Sequence, residues 1–162
     1  MIGYLTSATV LEPGGEFDGA AATELRADAE LAVEIRPELD PVSFGAALEL
    51  VDVTRPPHDF ESIVGGNLWH RGVAFGPLRP EPPPDLVEAE IRINGSPAGS
   101  NRARVDPAEA ARIAAELLAA VGERLEHGDR IICGSLVQVP VAPGDEVVAA
   151  LGELGEAGVR VR

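Results

Sequence analysis

The chain of 162 residues contains no lysine; all 13 of its basic residues are arginine. That excludes a Schiff base or a lysine general base supplied by this chain. Cys133 is the single cysteine, so no internal disulfide can form. This usage fits a reducing, cytoplasmic setting. Aromatic residues make up 4% of the sequence, which leaves the core to Val, Leu, Ile and Ala. No apolar run approaches the ~20 residues of a membrane-spanning helix. Met1-Ile2-Gly3-Tyr4 lacks the basic and then apolar pattern of a signal peptide. The formal net charge of −14 argues against nucleic acid and anionic membrane as partners.

What is present is turn-rich and alternating. Gly 18 and Pro 14 are high counts and imply many tight connections. One domain over residues 1–162 is expected. A first strand is expected within 4–11, and another over Leu25–Ile35 with one buried face. The dipeptide Asp40-Pro41 predicts a short helix over 41–46, followed by a strand over Ala47–Val53. Residues 54–69 read as a loop with one helical turn near Phe60–Ile63. A short strand is expected at Val73–Phe75, then an extended Pro-rich stretch. Leu86–Ile93 alternates cleanly and runs into Asn94-Gly95, a strong hairpin signal. Pro107–His127 reads as a helix capped by Asp106, with Ile113, Leu117, Val121 and Leu125 as its buried stripe and Gly128 as its stop. Strands at Arg130–Cys133, Glu146–Leu151 and Val159–Val161 complete the chain.

The acids carry the chemistry. In Asp28-Ala29-Glu30 the two carboxylates are at i and i+2 of a strand, so they share a face with Cα atoms roughly 6.5–7 Å apart. Glu49 is a lone acid inside Ala47-Leu48-Glu49-Leu50-Val51, where an unpaired charge is costly. A hard divalent cation held by Asp28, Glu30 and Glu49 accounts for both features. Hard oxygen ligands with no His or Cys suit Mg2+ or Mn2+. Glu88-Ala89-Glu90 repeats the pattern, but it sits on the hairpin and reads as an exposed face.

Several stretches, in order, resemble the C-terminal catalytic domain of the fumarylacetoacetate hydrolase superfamily. The nearer match is its 2-keto-4-pentenoate hydratase and 4-oxalocrotonate decarboxylase branch. Asp28-Ala29-Glu30-Leu31-Ala32 looks like that branch's Glu-Ala-Glu-Ile-Ala. Residues 47–55 look like its Ala-Leu-Glu-Ile-Val-Asp-Ser-Arg. Val64-Gly65-Gly66-Asn67 is similar to its Val-Ala-Asp-Asn. Residues 125–135 and 139–145 are similar to its Leu-x-x-Gly-Asp-Ile-Ile-Leu-Ser-Gly-Ser and Pro-Val-x-Pro-Gly-Asp.

The resemblance implies a mainly β, α+β fold with a rolled mixed sheet and a homodimer. It implies Asp28, Glu30 and Glu49 as ligands of Mg2+ or Mn2+, with a keto acid or β-dicarbonyl substrate reacting through a stabilised enolate. A lyase-type hydratase or decarboxylase is the expected activity. A biosynthetic cyclase or isomerase, or a non-catalytic partner subunit, are the alternatives. Set against the branch, this sequence is expected to start after the N-terminal segment with the acid/base lysine, Asp28 replaces a Glu, and Gly66 stands where the branch has Asp. His58, Asp59 and His70 are therefore the candidate acid/base groups. Arg55 is the candidate carboxylate clamp. Asn67, Trp69 and Ser135 are the expected substrate contacts. His127 reads as a helix C-terminal dipole contact and Cys133 as inert core.

Overall fold

Strand-forming alternation dominates the architecture. A computed structural model describes residues 2–36, 41–53 and 59–162. One sheet, A, has the order β1 (Val10–Leu11), β5 (His70–Phe75), β4 (Pro41–Asp52), β3 (Leu25–Ile35), β8 (Arg130–Pro140). The other, sheet B, has the order β2 (Glu16–Phe17), β10 (Glu156–Val161), β9 (Glu146–Ala150), β6 (Val87–Ile93), β7 (Ser96–Ala103). Each sheet is mixed: β1–β5 and β2–β10 pair in parallel, and the other pairs are antiparallel. The fold is thus the α+β, mainly β class expected, built as two packed sheets.

One face of sheet A packs on one face of sheet B. Ala29, Leu31 and Val33 of β3 and Leu48 and Leu50 of β4 meet Val87 and Ile91 of β6, Val147 of β9 and Val159 of β10. All of these are nearly or fully buried. The opposite face of sheet A is also covered in its middle: Ala32, Ala47, Val73 and Phe75 cluster there with Leu5, Leu78 and Ile132. The strand over Leu25–Ile35 therefore has two buried faces, not one. It is central in its sheet, and its polar parity carries the acids.

Four further expectations change. The helix over 41–46 is strand: β4 begins at Pro41 and pairs with β3 down its length. Cross-strand pairing overrides the local Asp-Pro signal. The strand within 4–11 shortens to Val10–Leu11. The strand from Arg130 continues past Cys133 to Pro140, through a bulge. Helix α2 spans Pro107–Ala119 rather than reaching His127. Asp106 caps its start by accepting from the Glu109 amide at 3.0 Å. Its end is closed by Gly122 at φ 81, with the Glu123 amide donating to the Leu118 carbonyl. His127 is exposed beyond that closure, so it makes no helix-end contact.

The buried stripe of α2 is also displaced. Ala111, Ala114 and Leu118 face inward, while Ile113, Leu117 and Val121 are exposed. Small alanines let the helix approach β4 and β8 closely, and that geometry outweighs the pull of the larger side chains. Asn94-Gly95 forms the expected hairpin turn, with φ 52 and 78. Among the described residues, no helix is long and apolar enough to cross a membrane.

Candidate metal centre

Antiparallel register brings the acids together. Asp28 of β3 stands directly opposite Glu49 of β4, and Glu30 stands opposite Ala47. All three carboxylates project from the face of sheet A turned away from sheet B. One oxygen from each lies within 4.8 Å of the others. Asp28 is 4% exposed and Glu30 7%. The Glu49 side chain is 14% exposed.

The backbone of β8 is bent to serve this cluster. Between Cys133, paired with Leu31, and Val137, paired with Ala29, β8 carries two more residues than β3. Gly134 and Ser135 take up that excess at φ 118 and 39. The bulge turns Ser135 toward the acids: its hydroxyl donates to Asp28 Oδ1 at 3.0 Å, and its backbone N–H donates to Glu30. Gln138 Nε2 donates to Asp28 Oδ2 at 2.8 Å. Arg26 in turn donates to Gln138 Oε1 at 3.3 Å. On the other side, His70 Nδ1 is 2.7 Å from Glu49 Oε1, and its Nε2 is 3.0 Å from Thr9 Oγ1.

Within the cluster only Glu49 has a potential cationic partner at ion-pair distance among the described residues, His70. Among the described residues, neither Asp28 nor Glu30 has an arginine or histidine at ion-pair distance. Burial, and then the charges of Glu49 and Asp28, push the Glu30 carboxyl up to about 8. Burial likewise raises Asp28, against the hydrogen bonds of Gln138 and Ser135. Such crowding leaves the folded chain a choice between keeping a proton and binding a cation. The donor set is all carboxylate and its members are preplaced, which fits a hard divalent ion.

The other sequence candidates fall in different places. Arg55 and His58 lie outside the described residues. Asp59 is exposed and caps α1 (Phe60–Gly65), accepting from the Ser62 amide at 2.7 Å. That contact holds its carboxyl below the usual range. Asn67 spends its carboxamide on the Tyr4 backbone, accepting from Tyr4 N–H at 2.7 Å and donating to Tyr4 C=O at 2.8 Å. Trp69 is half-buried and ends a run, Asn67-Leu68-Trp69, in which all three φ angles are positive. Three non-glycine residues in the left-handed region cost about 1–2 kcal/mol each, so this turn is held by its surroundings. Cys133 is half-buried beside the cluster, its thiol pushed up to about 12 by burial and then by Glu30.

Thr9 and Gln138 are contacts that sequence reading missed. Gln138 lies three residues after Ser135 in an apolar strand, and that polar interruption was the available signal. Thr9 had none, because its partner is 61 residues away.

No family model matches the sequence, and no curated protein does. Solved structures do match. A 4-oxalocrotonate decarboxylase from Pseudomonas putida G7, complexed with magnesium and adipate, aligns at TM-score 0.85 and 21% identity over 99% of this chain and 69% of that one. A 5-carboxymethyl-2-hydroxymuconate delta-isomerase from Mycobacterium smegmatis aligns at 0.70 and 20% identity over 94% and 65%. A fumarylpyruvate hydrolase from Pseudomonas aeruginosa, in complex with Mn2+ and pyruvate, aligns at 0.68 and 15% identity over 94% and 73%. This chain shares the fold of these structures.

Proposed function

We propose that the chain is a divalent-cation-dependent enzyme of lyase type, hydratase- or decarboxylase-like, acting on a small keto acid or β-dicarbonyl compound. The observation that carries this reading is the convergence of Asp28, Glu30 and Glu49 within 4.8 Å on a buried face with no arginine partner for Asp28 or Glu30 among the described residues. The shared fold supports it. The decarboxylase was solved with magnesium or calcium, and the hydrolase with Mn2+.

Asp28, Glu30 and Glu49 would hold Mg2+ or Mn2+. Such an ion supplies a Lewis acid where negative charge gathers on a 2-oxo acid as an adjacent bond breaks or a proton moves. The chain's own residues do the rest. Ser135 and Gln138 hold both oxygens of Asp28. Ala47 and Val73, which stand opposite Glu30 and Glu49 in the register, extend the same face with an apolar floor that excludes water beside the acids. In a lysine-free chain, His58 is the proposed proton carrier and Arg55 the proposed carboxylate clamp, with Trp69 as a pocket wall. The chain is proposed to work as a homodimer in a reducing cytoplasm, where Cys133 stays a thiol.

The test is a titration of the chain with Mn2+, followed by a panel of 2-oxo and β-dicarbonyl acids with product analysis. Mn2+ binding that tightens in the presence of oxalate, and cation-dependent turnover of one panel member, are expected. A chain that binds no divalent ion sinks the reading.

A further inference from the structure

Glu49 is held differently from its two neighbours. Asp28 and Glu30 take their hydrogen bonds from β8. Glu49 faces β5, and among the described residues its hydrogen bond comes from His70. The His70 side chain is 3% exposed and has both ring nitrogens engaged, one by Glu49 and one by Thr9. One ring nitrogen thus faces the Glu49 carboxylate and the other the Thr9 hydroxyl. Thr9 is itself anchored, with its hydroxyl 3.1 Å from the Thr6 carbonyl and 3.2 Å from the Thr6 amide.

Irregular backbone delivers both partners. In regular pairing Val51 would oppose Arg71, because Glu49 opposes Val73. Instead the register slips by one residue, and Val51 opposes His70. A one-residue slip moves a side chain to the other face of a strand, so the bulge puts His70 on the side that carries Glu49. Immediately before His70 comes the left-handed run Asn67-Leu68-Trp69, clamped through Asn67 to the backbone of Tyr4. The segment over residues 4–11 thus grips β5 and the turn before it at three places: Tyr4 on Asn67, Thr9 on His70, and β1 on β5.

We infer that Thr9 and His70 are positioning residues for the cation site. The N-terminal segment sets the His70 ring through Thr9, and the ring fixes which way the Glu49 carboxylate points. This rests on the proposed cation site and adds to it a control from a part of the chain that supplies no ligand. Partners of metal ligands in this position commonly govern affinity by ten- to a hundredfold.

The experiment uses the full chain and Mn2+ alone, with binding read by calorimetry and by the Mn2+ paramagnetic signal. Thr9→Val swaps a hydroxyl for a methyl of equal size at a half-exposed position, so the fold is kept; Thr9→Ser restores the hydroxyl. His70→Asn places an amide N–H near the Nδ1 position, and His70→Ala removes it. Expected results are a loss of about tenfold or more in Mn2+ affinity for Thr9→Val and His70→Ala, with Thr9→Ser and His70→Asn within about threefold of the unaltered chain. Equal affinity in Thr9→Val and the unaltered chain overturns the inference and leaves the cation site standing. A loss in Thr9→Ser as large as in Thr9→Val also overturns it, because the hydroxyl is then not the agent. An unaltered chain that binds no Mn2+ overturns the cation site and the inference with it.

Discussion

The two outward faces of the sheets carry the same short pattern with opposite outcomes. On β6 of sheet B, Glu88 and Glu90 flank Ala89 as Asp28 and Glu30 flank Ala29 on β3 of sheet A. The Glu88 side chain is 70% exposed and lies 3.5 Å from Arg102, its cross-strand partner. Glu90 lies 3.8 Å from Arg92, which also reaches Glu156 on β10. Sheet B solves its charge problem with arginines and water. Sheet A buries its acids, gives them hydrogen-bond donors from β8 and β5, and leaves the charge to a proton or a cation. Spacing alone does not distinguish the two pairs; burial without a cationic partner at ion-pair distance does.

The largest expected effect breaks that comparison by removing one oxygen charge. Glu30→Gln should lower Mn2+ affinity by about a hundredfold and abolish cation-dependent activity. Glu88→Gln and Glu90→Gln should leave both within about twofold. Calorimetric titration of the three variants decides it, and equal losses on both sheets would erase the distinction.

The next effect is on stability against pH. Folding raises the Glu30 carboxyl from 4.5 to about 8. The folded state therefore binds more protons than the unfolded one between those values. Its stabilising contribution is complete below the ordinary carboxylate range and is lost as pH rises through about 8. Asp28, also raised, works in the same direction. The cation-free chain should melt at progressively lower temperature from pH 5 to pH 9, as ~2.3RT of stability goes per proton and pH unit. Saturating Mg2+ should flatten the curve and add about 2.7 kcal/mol at a hundred times its dissociation constant. Melting curves with and without Mg2+ test this, and a cation-free curve that rises with pH would contradict it.

The contrast between the faces was partly legible before the fold was known. Alternation placed Asp28 and Glu30 on one face and Glu88 and Glu90 on another, and the Asn94-Gly95 turn marked the second pair as hairpin. The lone Glu49 in an apolar run marked the third acid, though its position opposite Asp28 is a matter of register, which local pattern does not encode. The bulges at Gly134-Ser135 and Arg71 were invisible for the same reason. Each is defined by a mismatch between two strands and not by either strand. The helix over 41–46 failed because a local cap signal competes poorly with eleven residues of neighbouring strand in β3. On α2 the largest apolar side chains suggested the inward stripe, whereas close approach selected Ala111 and Ala114.

A smaller effect sharpens the comparison within sheet A. Ser135→Ala and Gln138→Leu each remove one donor from Asp28. Loss of either should raise the Asp28 carboxyl further and weaken Mn2+ binding by about tenfold. Gln138→Leu should do so without loss of stability, since that residue is exposed. Calorimetry and thermal melts separate the two effects; tighter binding in either variant would mean that these bonds compete with the ion and do not aim the carboxylate toward it.

The smallest effect lies on sheet B. Arg102→Ala removes the partner of Glu88 from a surface where both side chains are more than half exposed. Water then solvates Glu88 at little cost, and the loss should be under about 0.5 kcal/mol. Raising the salt concentration should shrink it further, because a screened surface pair has little left to lose. The same salt should barely change the pH dependence of the cation-free melt, since the acids of sheet A sit where screening ions do not reach. A salt titration of both signals therefore reads the two faces side by side. If the Glu30 signal proved as salt-sensitive as the Arg102 one, those acids would be solvated, and the case for a buried cation would go with them.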